Sequence, residues 1–148
     1  MDFKQALFAG YANIAIMEIR LHNDDDSRLR PTFKETLYLY SIWSRDGCTA
    51  SDLVKLFDSS KALVSQTIIG MEKKGYIVRE QDKTDRRKQI LKISPQRLSG
   101  GVEEFKLIDS SITALSAKYT EEELSKSAKI IYEFTENMCK EVTKVQKD

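Results

Sequence analysis

Apolar positions along this chain keep helical spacing almost throughout and change to strand spacing once. Phe3, Leu7, Ile14 and Leu21 recur at steps of four or seven, which predicts a first helix of about five turns. Residues 22–31, HNDDDSRLRP, are polar and close on a proline, so they read as a loop. Thr32 with Glu35 three residues on has the form of a capping box. It opens a second helix whose apolar stripe is Phe33, Leu37 and Tyr40 and which runs to about Trp43, before RDGC (45–48) breaks it. Thr49 or Ser51 starts a short third helix in which Leu53, Leu56 and Phe57 share a face. The tight polar turn Asp58-Ser59-Ser60 supplies cap chemistry for a fourth helix over 61–74, and Gly75 ends it as a left-handed cap. After Gly75 the period becomes two. Ile77/Arg79 and Leu91/Ile93 alternate on either side of Asp82–Arg86, which predicts a hairpin with an irregular tip.

Ser94-Pro95 then reads as an N-cap followed by a first-turn proline. In the last third, Val102, Phe105, Ile108, Ile112, Leu115 and Tyr119 step by three and four. Thr120 and Glu123 form a second capping box. The helix behind it carries Leu124, Ala128, Ile131, Met138, Val142 and Val145 in a seven-residue rhythm, with Thr135 in the one polar slot. These seams, with the first helix, exceed what a small central module needs for cover. They predict a helical homodimer interface rather than a purely intramolecular bundle.

The expected fold is therefore mostly α with a small β-hairpin wing. Short helix, tight turn, helix and two-stranded hairpin make a winged helix-turn-helix over 32–94, flanked by dimerising helices in 1–30 and 95–148 of a single domain, 1–148.

Net charge is +1, which alone implies no partner. Its distribution is more informative. Residues 49–93 carry ten Lys/Arg against six Asp/Glu, a surplus of four positive charges that leaves the remainder at −3. A basic middle between mildly acidic ends points to an anionic partner. An apolar content of 41% supports a real core. The absence of long apolar runs and of signal-peptide order predicts a cytoplasmic protein that spans no membrane. Cys48 and Cys139 are too few for a disulfide framework.

On the fourth helix, Val64, Ile68 and Met71 point one way. Ala62, Ser65, Gln66, Ile69, Gly70 and Lys73 point the other. An ordinary solvated face would carry long charged side chains, whereas this one carries small and amide-bearing groups. Gln66 can pair with two edges of adenine, and Ser65 can donate or accept. Gly70 costs a helix about 1 kcal/mol, and close approach of a groove is one reason for it, an internal packing contact another. Beside this helix, the wing tip packs Lys83, Arg86, Arg87 and Lys88 around Asp82 and Asp85.

The stretch 63–94 resembles the multiple-antibiotic-resistance regulator (MarR) family of bacterial transcription factors. The matching motifs are MEKKGYIVRE, then DRR (Asp85, Arg86, Arg87), then KIS before the last helices. The helical flanks and the length extend the resemblance over nearly the whole chain. It implies that Arg87 enters the minor groove, where a narrow A·T-rich groove attracts a guanidinium. It also implies that Asp85 shapes the wing by pairing with arginine, and that Ser65 and Gln66 occupy base-reading positions. Lys83, Arg86 and Lys88 would meet phosphates, as would the helix opening at Ser59, Ser60 and Lys61. Departures exist. The glycine usual soon after the second wing strand comes later here, at Gly100 and Gly101, and the first helix lacks the cysteine of oxidant-sensing branches.

An enzyme is not expected. His22 is the only histidine, and no phosphate loop or metal-ligand spacing occurs; Asp24, Asp25 and Asp26 read as a solvated run. No cofactor and no metal are predicted. The leading reading is a homodimeric, sequence-specific DNA-binding regulator, a repressor of palindromic operators released by a small molecule, which the resemblance implies is often aromatic or phenolic. Tyr11, Tyr38 and Trp43 are available to such a ligand but read more simply as core. The rival reading is a winged-helix interaction module whose basic wing grips an acidic protein.

Overall fold

The computed structural model describes residues 1–22, 30–96 and 103–145. Asp24–Asp26, Gly100, Gly101 and Val102 lie outside the described residues, as does the side chain of Val145. The chain divides into two compact units, Met1–Gly100 and Gly101–Asp148. The first holds helices α1 (Phe3–His22), α2 (Phe33–Trp43), α3 (Ala50–Leu56) and α4 (Lys61–Lys73), then strands β1 (Ile77–Gln81) and β2 (Gln89–Ile93). The second holds α5 (Glu103–Ser116) and α6 (Glu121–Val145). Mostly helical, with one antiparallel hairpin, this is the expected fold class.

Side-chain caps set the helix boundaries. Asp2 and Gln5 satisfy one another's backbone N–H groups ahead of α1, at 3.0 and 2.8 Å. At α2, Thr32 accepts from the Glu35 N–H and Glu35 accepts from the Thr32 N–H at 2.8 Å, the box read from the sequence. Thr49, not Ser51, caps α3, with Asp52 as its reciprocal partner. Ser60 caps α4 by accepting from the Leu63 N–H. The far end of α4 closes through two bonds at 2.9 Å, from the Gly75 N–H to the Glu72 carbonyl and from the Tyr76 N–H to the Met71 carbonyl. This crossed pair requires a left-handed residue at Gly75, whose φ is +71°.

The hairpin registers Ile77 with Ile93, Arg79 with Leu91 and Gln81 with Gln89. A contact with no local sequence signal joins it to the helices. Thr49 bridges Ile90, and the Leu91 N–H donates to the Cys48 carbonyl at 2.7 Å. The loop before α3 therefore covers the outer edge of β2, and an edge strand so covered cannot pair elsewhere.

The core of the first unit is Tyr38, Leu39 and Ile42 from α2, Leu53 from α3, Val64, Ile68 and Met71 from α4, and Tyr76, Ile77, Leu91 and Ile93 around the hairpin. The inward trio of α4 is the predicted one. Three other expectations are corrected. Phe33 is exposed, and Leu37 and Tyr40 are only half-buried. The buried stripe of α2 lies instead through Glu35, Tyr38, Leu39 and Ile42. The reason is that α2 has partners on two sides: the Tyr40 hydroxyl donates to Glu18 of α1 at 2.9 Å while Tyr38 stacks on Phe57, ring centroids 4.6 Å apart. Leu56 is exposed, because α3 is so short that Leu53 alone reaches the interior. His22, expected in a loop, is the last residue of α1.

One partly exposed ion pair, on a buried Glu35, ties the start of α2 to the end of α4. Lys74 Nζ lies 2.8 and 3.1 Å from the two carboxylate oxygens of Glu35. Burial pushes the Glu35 carboxyl up, but the Lys74 and Thr32 hydrogen bonds outweigh it and hold the group below its ordinary value.

In the second unit, Thr120 and Glu123 form the expected capping box of α6. Its polar side carries i,i+4 pairs Lys126–Glu122 and Lys140–Glu136 at 2.7 and 3.2 Å. Its apolar side is open. Ile131, Met138 and Val142 are exposed, as are Ile112, Leu115 and Tyr119 of α5 and the turn after it. No helix among the described residues is long and apolar enough to cross a membrane.

Candidate nucleic-acid interface

The outer face of α4 is free of the interior. Ala62, Ser65, Gln66, Ile69 and Lys73 are all exposed, opposite three side chains with no accessible surface. Leu63 is exposed as well, on the flank of this face, and its carbonyl accepts from the Thr67 hydroxyl. Lys61 is exposed in the first turn. The serines ahead of it are engaged within the chain: Ser60 caps the helix, and the Ser59 hydroxyl donates to the Phe57 carbonyl at 3.1 Å. What the opening of α4 offers an anion is thus backbone N–H and Lys61 rather than the two hydroxyls. Asp58 before them holds a left-handed φ of +44°, which turns the chain sharply from α3 into α4.

Gly70 has no internal partner that demands a glycine: a Cβ built there meets no atom within 4 Å. The packing explanation for it falls away within this chain. Gly70→Ala is therefore expected to stabilise the fold by about 1 kcal/mol, read as a higher midpoint in urea unfolding at unchanged slope.

The wing tip is organised by Asp82. One of its carboxylate oxygens accepts from the Thr84 N–H at 2.7 Å, the Thr84 hydroxyl at 2.6 Å and the Asp85 N–H at 2.8 Å. The Thr84 hydroxyl bond and the two backbone bonds hold its carboxyl at a pKa of about 2. The Asp82 N–H donates to the Lys88 carbonyl and the Lys88 N–H to the Asp85 carbonyl, which closes the loop. Gln81 adds a side-chain bond to the Arg86 carbonyl at 2.7 Å. Asp85 accepts from the backbone N–H of Arg87 at 3.0 Å, not from an arginine side chain as the resemblance implied. Asp85 thus fixes where Arg87 leaves the loop and keeps its guanidinium uncommitted.

Ion pairing sorts the cations of the basic segment into two groups. Lys74 is held by Glu35, Arg79 by Glu72 at 2.9 Å, and Lys92 by Glu80 at 2.6 Å. All three sit at the root of the wing, where Arg79–Glu72 bolts β1 to α4. Lys61, Lys73, Lys83, Arg86 and Arg87 are exposed and make no ion pair with any described residue. Lys88 is exposed too, within electrostatic reach of Asp82 and Asp52. Sequence composition weights all these cations equally. Geometry separates those that hold the fold from those that face outward.

Other candidates resolve simply. Tyr38 is core, while Tyr11 and Trp43, which read as core in the sequence, are exposed. Cys48 is buried, and that burial raises its thiol pKa above the ordinary value, the opposite of a reactive thiol. Cys139 is exposed on α6. Among the described residues no cluster of His, Cys, Asp and Glu could hold a metal ion.

Residues 32–88 match the family model of the MarR family, which spans α2 through the wing tip. The fold is similar to that of FabT from Streptococcus pneumoniae, solved in complex with DNA. Identity is 21%, coverage 91% of this chain and 96% of that one, and the TM-score 0.57. It is likewise similar to a mutant of MepR from a multidrug-resistant clinical isolate of S. aureus, at 20% identity, 93% and 99% coverage and a TM-score of 0.64. A MarR-like transcriptional regulator from Thermotoga maritima matches at 16% identity, 94% and 98% coverage and a TM-score of 0.56. No curated protein sequence matches.

Proposed function

From the match of residues 32–88 to the MarR family model, we propose that this chain is a cytoplasmic, homodimeric, sequence-specific DNA-binding transcriptional regulator of that family. On this reading it represses from a palindromic operator and is released by a small aromatic or phenolic ligand. The observation that carries the proposal is the pairing of a helix face that exposes Ser65 and Gln66 between Lys61 and Lys73 with unpaired cations on the wing that follows it. Ser65 and Gln66 read base edges in the major groove. Arg87 enters the adjacent minor groove, and Lys61, Lys73, Lys83, Arg86 and Lys88 meet phosphates. FabT, solved with DNA, has the same fold over nearly its whole length, which supports this reading.

The exposed apolar rows of α5 and α6, with Phe8, Tyr11 and Ile14 of α1, support the dimer. Large apolar patches left open to water need cover, and residues 1–30 and 95–148 supply it to a second copy. Residues 32–94 carry the DNA surface. A twofold axis then sets two recognition helices about one DNA turn apart, and a ligand that changes that spacing changes affinity.

Selection from random duplexes tests the reading. A palindrome with two half-sites is expected, with affinity falling steeply as salt rises. Lys83→Ala and Arg86→Ala should each reduce the log–log salt slope by about one. A weak response blind to sequence, with binding to acidic proteins instead, would overturn it.

A further inference from the structure

We propose that Ile69 is a specificity residue, reading the C5-methyl group of a thymine in the major groove. The inference rests on the DNA-binding reading above and adds to it a chemical class of contact that the polar residues cannot make.

Ile69 occupies the middle of the outward stripe. Ala62, Gln66, Ile69 and Lys73 follow one another at steps of four, three and four, opposite the fully buried Val64, Ile68 and Met71. Yet Ile69 is 42% exposed. The interior is already complete without it, so burial does not explain a branched hydrocarbon at this place. A solvated face would carry a polar residue, and its stripe neighbours Gln66 and Lys73 are polar. A lone exposed apolar side chain is ordinary on a protein surface. Leu63, on the flank of the same helix, is 45% exposed, but Ile69 stands within the outward stripe itself, one turn before exposed Lys73 and beside a glycine with open space where a side chain would be.

The cations fix the class of partner. Lys61 and Lys73 lie on the same helix, and Lys83, Arg86 and Arg87 on the wing. A second copy of this surface would meet like charge, whereas a duplex meets it with phosphate. Within a major groove the thymine C5-methyl is the apolar group on the base-pair edges, and uracil or cytosine presents hydrogen there. An isoleucine has no hydrogen-bonding atom in its side chain, so methyl against hydrogen is the difference it can sense. Its branched Cβ restricts χ1, so little rotamer freedom is lost on contact. Gln66 lies three residues earlier, about 4.5 Å along the helix axis, between one and two base-pair steps of about 3.4 Å. If Gln66 takes an adenine, Ile69 meets a pair next to it. The absent Cβ at Gly70 leaves room for that edge to come in beside Ile69.

The test uses the selected duplex with each thymine replaced in turn by deoxyuridine. This removes a methyl group and leaves every hydrogen-bonding atom in place. One thymine per half-site should prove sensitive, binding about fourfold more weakly as uracil, the value of one buried methyl group. Ile69→Ala should bind the thymine and uracil duplexes equally. Because the side chain is exposed, that variant should keep the parent's circular dichroism and melting temperature. Indifference to uracil at every position would overturn the proposal while leaving DNA binding intact, as would full discrimination by Ile69→Ala. A chain that selects no duplex overturns the DNA-binding reading, and this proposal with it.

Discussion

The double variant Ile131→Glu, Met138→Glu is expected to be monomeric and to bind a palindromic duplex about a thousandfold more weakly than the parent. The two positions are seven residues apart on one side of α6, and both side chains are exposed within the single chain. Their replacement therefore removes no intrachain core contact, and α6 keeps its capping box and its paired polar face. Between two copies the consequence is different. Four carboxylates would enter an apolar seam, each one a charge to be desolvated without a partner. Affinity then falls for a geometric reason. With both half-sites engaged by a dimer, the second contact forms at an effective concentration worth about 10²–10⁴ over either half alone. Sedimentation equilibrium gives the mass and a duplex titration the affinity. A variant that stayed dimeric would move the interface to α1, where Phe8, Tyr11, Ile14 and Ile19 are also exposed.

Much of this molecule is legible in local sequence because local chemistry decides it. The Thr32–Glu35 and Thr120–Glu123 boxes, the left-handed Gly75 and the inward Val64, Ile68 and Met71 each involve residues within one or two turns. The spacing alone specifies them. What escaped is non-local or balanced between equals. The buried stripe of α2 was displaced because the helix faces α1 on one side and the winged core on the other, and a single-stripe template shows one side only. Lys74 is held by a carboxylate 39 residues away, so nothing near Lys74 distinguishes it from Lys73. The Cys48–Leu91 hydrogen bond joins a loop to a strand across two helices. Asp82 and Asp85 look alike in sequence, both flanked by cations at a hairpin tip. The fold gives Asp82 three donors and Asp85 one side-chain bond, to the Arg87 backbone. For the candidate site, sequence pointed to a helix face and a wing, and only the ion pairs showed which cations remain to meet a partner.

That asymmetry between the two aspartates leads to a prediction about the wing. Arg87→Ala should weaken binding to the selected duplex about tenfold, the usual effect of removing an arginine that reads a groove. Asp82→Ala should weaken it by a similar factor, although Asp82 is an anion that repels phosphate. Removing a negative charge from a DNA surface would by itself tighten binding, so a loss would identify Asp82 as a positioning residue. The mechanism is the tip geometry: without the three bonds to Thr84 and Asp85, the loop that presents Arg87 keeps only its backbone closure and the Gln81 and Asp85 bonds, and more of its ordering must be supplied on binding. The two substitutions should therefore not add. Asp82→Ala in the Arg87→Ala background should cost little more, because the residue being positioned has already gone. The same geometry fixes the pH behaviour. The folded pKa, about 2, lies below the ordinary 3.8, so ionised Asp82 holds the tip above that ordinary value and releases it as pH falls towards 2. The Thr84 and Asp85 amide resonances should then titrate together with a midpoint near 2 and stay constant from pH 5 to 8. Tighter binding by Asp82→Ala would show that the carboxylate acts through charge alone, and full additivity of the two substitutions would show that Arg87 needs no help from Asp82 to reach the groove.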